Sequence, residues 1–130
     1  MRGSSALNDA LPTGTERPIA VLVVWEPVIV TDLGPPPARV RRRACDTRVV
    51  QFWDPKRLVS QAAVQTAMAH RASLDLGDDL DADSIAWDIV AVFPPGIRWD
   101  EAFPIPSWYG APVVAAAPEL KTRLLAAPGE

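Results

Sequence analysis

Two apolar runs, IAVLVVW (19–25) and VVQFW (49–53), end in the same way: a tryptophan, then an acid, then a proline. Unbroken runs rich in valine suit strands buried on both faces of a sheet. Proline has no N–H to donate, so Pro27 stops the first ladder, although VIV (28–30) can prolong the extended chain past a kink. Two further pairs, Trp87-Asp88 and Trp99-Asp100, repeat the motif, so four of the five tryptophans precede a carboxylate. Ligands of α/β sheets bind outside the carboxyl ends of the strands. The pattern therefore predicts acids and aromatics gathered along one sheet edge.

Prolines set the other boundaries. Gly34 and Pro35-Pro36-Pro37 end the first extended segment and open a short helix, about residues 36–45, because proline suits a first helical turn. On that helix Ala38, Val40, Ala44 and Cys45 face inward, while Arg39, Arg41, Arg42 and Arg43 face out. Asp54 is a good N-cap and Pro55 a good first helical residue, which predicts a second helix over about 55–72. Leu58, Val59, Ala62, Ala63, Ala67 and Met68 form its apolar stripe. LDLGDDLDADS (74–84) reads as an acidic connector. Ile85 to Phe93 is a third strand, and Pro94-Pro95-Gly96 a turn. Residues 97–105 are a return strand interrupted by prolines, with a further extended piece around Trp108 to Val114. Pro118 begins a last helix, about 118–127. Residues 1–17 are expected to be a disordered leader, and residues 18–127 a single α/β domain of order β-α-β-α-β-β-α. Its first half is a βαβ unit of parallel strands.

Composition removes several functions. The formal net charge of −3 argues against a nucleic-acid partner, which calls for a basic excess. No apolar run approaches the roughly 20 residues that span a bilayer, so no membrane partner is expected. The N-terminus lacks the apolar segment of a secretory signal. A single cysteine, Cys45, leaves no intrachain disulfide and fits a reducing, cytoplasmic setting.

The order of elements resembles the thioredoxin fold over roughly residues 18–127, a mixed sheet flanked by helices. VLVVWEP (21–27) is similar to the strand that in thioredoxins runs into the Trp-Cys-Gly-Pro-Cys site, with Trp25 at the family's tryptophan. Glu26 and Val28 stand in the neighbourhood where the family places its cysteines, and Cys45 lies far downstream. Dithiol exchange needs both an attacking and a resolving thiol. DADSIAWD (81–88) also lacks the proline that the family places before its third strand. The resemblance thus implies a redox-silent member. The WEP (25–27) and FWDP (52–55) segments also resemble those of a set of bacterial proteins of unknown function. The number of helices and strands also permits a ferredoxin-like or another α+β sheet.

The candidate working surface combines two groups of residues. Glu26, Thr31, Asp32 and Asp54 lie at strand ends, where paired carboxylates perform acid–base work if one is buried. The plainer reading makes Asp54 a helix cap, Asp32 a turn residue and Glu26 a solvated loop residue. FPPGIRWDEAFPIPSWYGAP (93–112) carries Trp99, Phe103, Trp108 and Tyr109, which either complete the core or anchor a partner. The acidic loop, with Asp75, Asp78, Asp79, Asp81 and Asp83, lacks the spacing of an EF-hand and reads as a solvated connector. The arginine cluster has no interleaved aromatic and reads as a solvated face. One histidine (His70) and one cysteine leave no transition-metal site in a monomer, and no serine-hydrolase motif occurs. No cofactor or catalytic residue is assigned. The expectation is a non-enzymatic domain that binds a protein or small molecule. The alternatives are a carboxylate enzyme, with or without a divalent metal, and a homodimer built through a strand edge or the aromatic segment.

Overall fold

The computed structural model describes residues 2–14 and 18–126. The elements are α1 (Arg2–Ala10), β1 (Val21–Trp25), α2 (Ala38–Arg41), β2 (Val49–Trp53), α3 (Leu58–Ala69), α4 (Arg71–Leu74), β3 (Val90–Val92), β4 (Trp108–Gly110) and α5 (Val113–Ala126). The protein is mixed α/β, with two small sheets. β1 and β2 pair in parallel, with Val21 opposite Val49 and Trp25 opposite Trp53. β3 and β4 pair antiparallel, with Val90 opposite Gly110. Among the described residues the two pairs share no ladder.

Differences from the sequence expectation have local causes. Residues 2–10, read as part of a leader, form α1, which packs on α5. Asn8 ties it to the chain after α2: its Oδ1 accepts the N–H groups of Cys45 (3.2 Å) and Asp46 (3.0 Å). Arg48 adds a bond to the Pro12 carbonyl at 3.0 Å. Residues 15–17 of the expected leader lie outside the described residues. The predicted 55–72 helix splits at His70, whose φ of −124° is not helical. Only Val90–Val92 of the 85–93 strand pairs, and 97–105 forms no strand. α5 begins five residues before Pro118, which sits inside the helix. Proline removes one donor there, and Thr122 Oγ1 bonds the Pro118 carbonyl at 3.1 Å. Residue 127, the expected last helical residue, lies outside the described residues.

The buried apolar side chains are small or few: Ala10, Leu11, Val40, Ala44, Val64, Ala116 and Leu120. They fall at the end of α1 and just after it, in α2 and the turn that follows it, and on α3 and α5. Side chains alternate between the faces of a strand. On β1 and β2 the face carrying Gln51 turns toward α2, since Gln51 Nε2 donates to the Arg41 and Ala44 carbonyls and its Oε1 accepts from Trp25 Nε1 at 2.8 Å. The other face carries Leu22, Val24, Val50 and Phe52. There Leu22 is 66%, Val50 52% and Phe52 49% exposed.

Candidate functional site

The register Trp25 opposite Trp53 brings Glu26 and Asp54 level at the carboxyl ends of β1 and β2. The Asp54 N–H donates to the Trp25 carbonyl at 2.8 Å, extending the ladder by one bond. The Asp54 side chain is buried, and its Oδ2 accepts the Val59 N–H at 2.8 Å in the first turn of α3. Asp54 thus satisfies a free helix donor, as its sequence position implied, but the helix starts later than Pro55. Arg57 intervenes in the left-handed region, with φ 56°. That conformation costs an arginine about 1 kcal/mol and turns the chain sharply from β2 into α3.

Glu26 sits in the same corner, half-buried, and its Oε1 is shielded from solvent without a hydrogen-bond partner. Burial is the main reason its carboxyl lies above the ordinary glutamate range. A hydrogen bond with Ser60 pulls it down, the charge of Asp54 pushes it up, and the Arg57 guanidinium lowers it again. Ser60 is itself buried, and its hydroxyl accepts the Ala86 N–H at 2.7 Å. The serine therefore joins Glu26 to the chain before β3. Sequence reasoning missed Ser60 and Arg57. The available signal was their place in and before the first turn of a helix that begins at a strand end.

Asp32 is engaged elsewhere. Its carboxylate accepts the N–H groups of Ile29 (3.0 Å) and Val28 (2.8 Å), and those bonds hold it below the ordinary aspartate range. Asp32 is not among the groups that act on Glu26. Thr31 lies exposed in the same turn. Of the three acids proposed to converge, the structure couples Glu26 with Asp54 and leaves Asp32 to its own turn.

The aromatic segment is tied down along its length. Phe103 meets Phe93 and Trp99 edge-on, with ring centroids 5.8 Å and 5.1 Å apart. Its carbonyl accepts the Thr66 hydroxyl of α3 at 2.8 Å. Tyr109 donates its hydroxyl to the Leu74 carbonyl at 3.1 Å, and Arg123 lies over the Trp108 ring at 5.2 Å. Gly110 permits the close approach of β4 to α5: a Cβ there would lie 2.6 Å from Ala116 Cβ and 2.9 Å from Trp108 Cη2. Val92, Ser107, Trp108, Arg123 and Ala126 surround an open hollow of about 290 Å³. Trp99 remains 47% exposed, whereas Trp108 and Tyr109 are half-buried parts of the fold.

Arg39, Arg41, Arg42 and Arg43 are exposed around α2. The acidic loop is held by Arg71, whose guanidinium bonds the carbonyls of Gly77 and Leu80. Among the described residues no group of three or more His, Cys, Asp or Glu side chains is placed to hold a metal ion. No described helix is long and apolar enough to cross a membrane. No protein-family model matches the chain, and neither a curated protein nor a solved structure is detectably similar to it.

Proposed function

We propose that the protein is a non-enzymatic interaction domain, thioredoxin-like in the order of its elements and redox-silent. Its working surface is the open side of the β1–β2 pair together with the strand-end acids Glu26 and Asp54. One observation carries this reading. Parallel strands are normally covered on both faces, yet Leu22, Val50 and Phe52 stand about half or more exposed on one face of this pair. A partner that covers them removes apolar surface from water, worth about 25 cal/mol per Å². The strand-end acids add polar selectivity beside it.

Partner capture by the immobilised full chain tests the reading. Phe52→Asp is expected to abolish capture while leaving the fold intact, because the side chain lies outside the core. Capture unchanged in Phe52→Asp and lost in Trp99→Ala would move the working surface to the aromatic segment and overturn the assignment.

A second reading, acid–base chemistry at Glu26, has its own observation: a shielded, unpartnered Oε1 on a carboxyl whose proton is held more tightly than usual. A carboxyl that holds its proton more tightly is better suited to act as a general acid than an ordinary glutamate. A panel of hydrolysable substrates turned over by the wild type and not by Glu26→Gln would favour it over binding alone.

A further inference from the structure

β1 has the sequence of a strand with two neighbours, and among the described elements it pairs with one. Backbone groups alternate in direction along a strand. The Val21 N–H donates to the Arg48 carbonyl, and the Trp25 carbonyl accepts the Asp54 N–H. With Val21 opposite Val49, the odd-numbered residues of β1 therefore face β2. The N–H and C=O of Leu22 and Val24 point to the opposite edge, where no backbone group of another described residue bonds them.

That edge is open in its chemistry as well. Free edges are commonly guarded by a charged side chain or a proline within the strand. Here no charged residue lies between Pro18 and Glu26, and both prolines of the region, Pro18 and Pro27, fall outside Val21–Trp25. The outer edge of β2 differs, because its Val49 N–H already donates to the Asp46 carbonyl at 3.0 Å.

We propose that a second copy of this chain pairs with β1 antiparallel, about a twofold axis at Val23. Leu22 and Val24 lie symmetrically about that residue. Leu22 of one copy then meets Val24 of the other, and each such pair exchanges two N–H···O bonds. Val23 meets its own copy as a non-hydrogen-bonded pair. A twofold contact requires a patch that complements itself, and outward groups flanking one inward residue meet that requirement. The product is a four-stranded sheet of order β2-β1-β1-β2, with the apolar face of Leu22, Val24, Val50 and Phe52 continuous across it. A five-residue edge buries far less than the roughly 800 Å² per partner of a standard interface. The dimer is accordingly weak and reversible, with a dissociation constant between about 1 µM and 1 mM.

The proposal deepens the interaction reading and rests on it. Sedimentation equilibrium of the full chain from roughly 5 µM to 1 mM tests it across that range of affinity. The average mass should rise from that of one chain toward that of two. Val24→Pro removes an outward N–H and leaves the bonds to β2 in place, so it should stay monomeric with unchanged tryptophan fluorescence. Independently, in a Cys45→Ser background, Val23→Cys should cross-link to a dimer under mild oxidation, and Leu22→Cys should not, since only Val23 meets its own copy. A wild type monomeric throughout overturns the proposal, as does cross-linking through Leu22→Cys alone or a Val24→Pro variant that dimerises like the wild type. Phe52→Asp alters the face and not the edge, so it separates the two claims. Capture lost in Phe52→Asp beside a monomeric wild type keeps the interaction domain and removes the dimer.

Discussion

The two regions of the molecule hold their aromatic side chains differently, although both leave large apolar side chains such as Trp87, Trp99 and Leu22 exposed. Around β3, β4 and α5 the aromatics are each given a partner: Tyr109 a carbonyl, Trp108 a guanidinium, and Phe103 two rings and a threonine on its backbone. At β1 and β2 the apolar residues are as large, yet Leu22, Val50 and Phe52 meet solvent. The hydrophobic effect supplies no direction of its own. Hydrogen-bonding handles on Tyr, Ser and Thr fix irregular backbone at one end, while Leu, Val and Phe at the other carry no such handle.

The strongest way to break this comparison is to truncate a side chain at each end. Leu120→Ala, at a buried position of α5, should lower stability by about 3 kcal/mol in urea unfolding. Phe52→Asp should change it by less than about 0.5 kcal/mol, as befits a surface position. A Phe52→Asp loss as large as that of Leu120→Ala would mean that the β1–β2 face is covered in solution.

Much of the parallel pair was legible from sequence, because both strands are runs of apolar residues closed by prolines and acids. The strand ends were legible as well, but that Glu26 and Asp54 lie side by side follows from the register of the pair, with Trp25 opposite Trp53. What stayed hidden depends on tertiary contacts. Nothing local in RGSSALNDA announces that Asn8 will hold the chain after α2, nor that Ala10 and Leu11 will be buried. The start of α5 was hidden because proline favours a first turn, and here the turn before Pro118 is helical as well. β3 is a strand of three residues only because β4 offers three. The different roles of Asp32 and Asp54 were legible, since the turn at Asp32 and the helix after Asp54 each call for a local cap, and the backbone sends one carboxylate into its own turn and the other to the first turn of α3.

Next in size is Gly110→Ala, which sharpens the contrast from the well-packed side. Its Cβ has no room beside Ala116 and Trp108, so a loss of about 1–3 kcal/mol is expected by thermal or urea unfolding. Ser60→Ala probes the junction of the two regions. It leaves the Ala86 N–H and the Glu26 carboxylate without their partner and should cost about 1–2 kcal/mol. The same variant should raise the Glu26 pKa further, which carbon-13 NMR of the carboxyl would record.

The smallest effect is a pH dependence of opposite sign at two carboxylates. Glu26 is raised on folding, so the folded state holds its proton more tightly and stability falls as pH rises from the unfolded value near 4.5 through the folded one. Glu26→Gln should therefore flatten that fall and leave stability at lower pH unchanged. Asp46 is lowered to about 2, chiefly by its hydrogen bond from the Arg48 side chain. Its contribution is complete above about 3.8 and is lost as pH drops through about 2, so Asp46→Asn should remove that acid limb alone. Stability measured by urea unfolding across pH 2 to 7 checks both.

Amide hydrogen exchange along β1, followed by NMR at low protein concentration, tests the open strand pair most directly. The account predicts alternation: the Val23 and Trp25 amides, which face β2, are protected, and the Leu22 and Val24 amides exchange at nearly the rate of free chain. Equal protection of all four in the dilute protein would show the edge already covered and contradict the account.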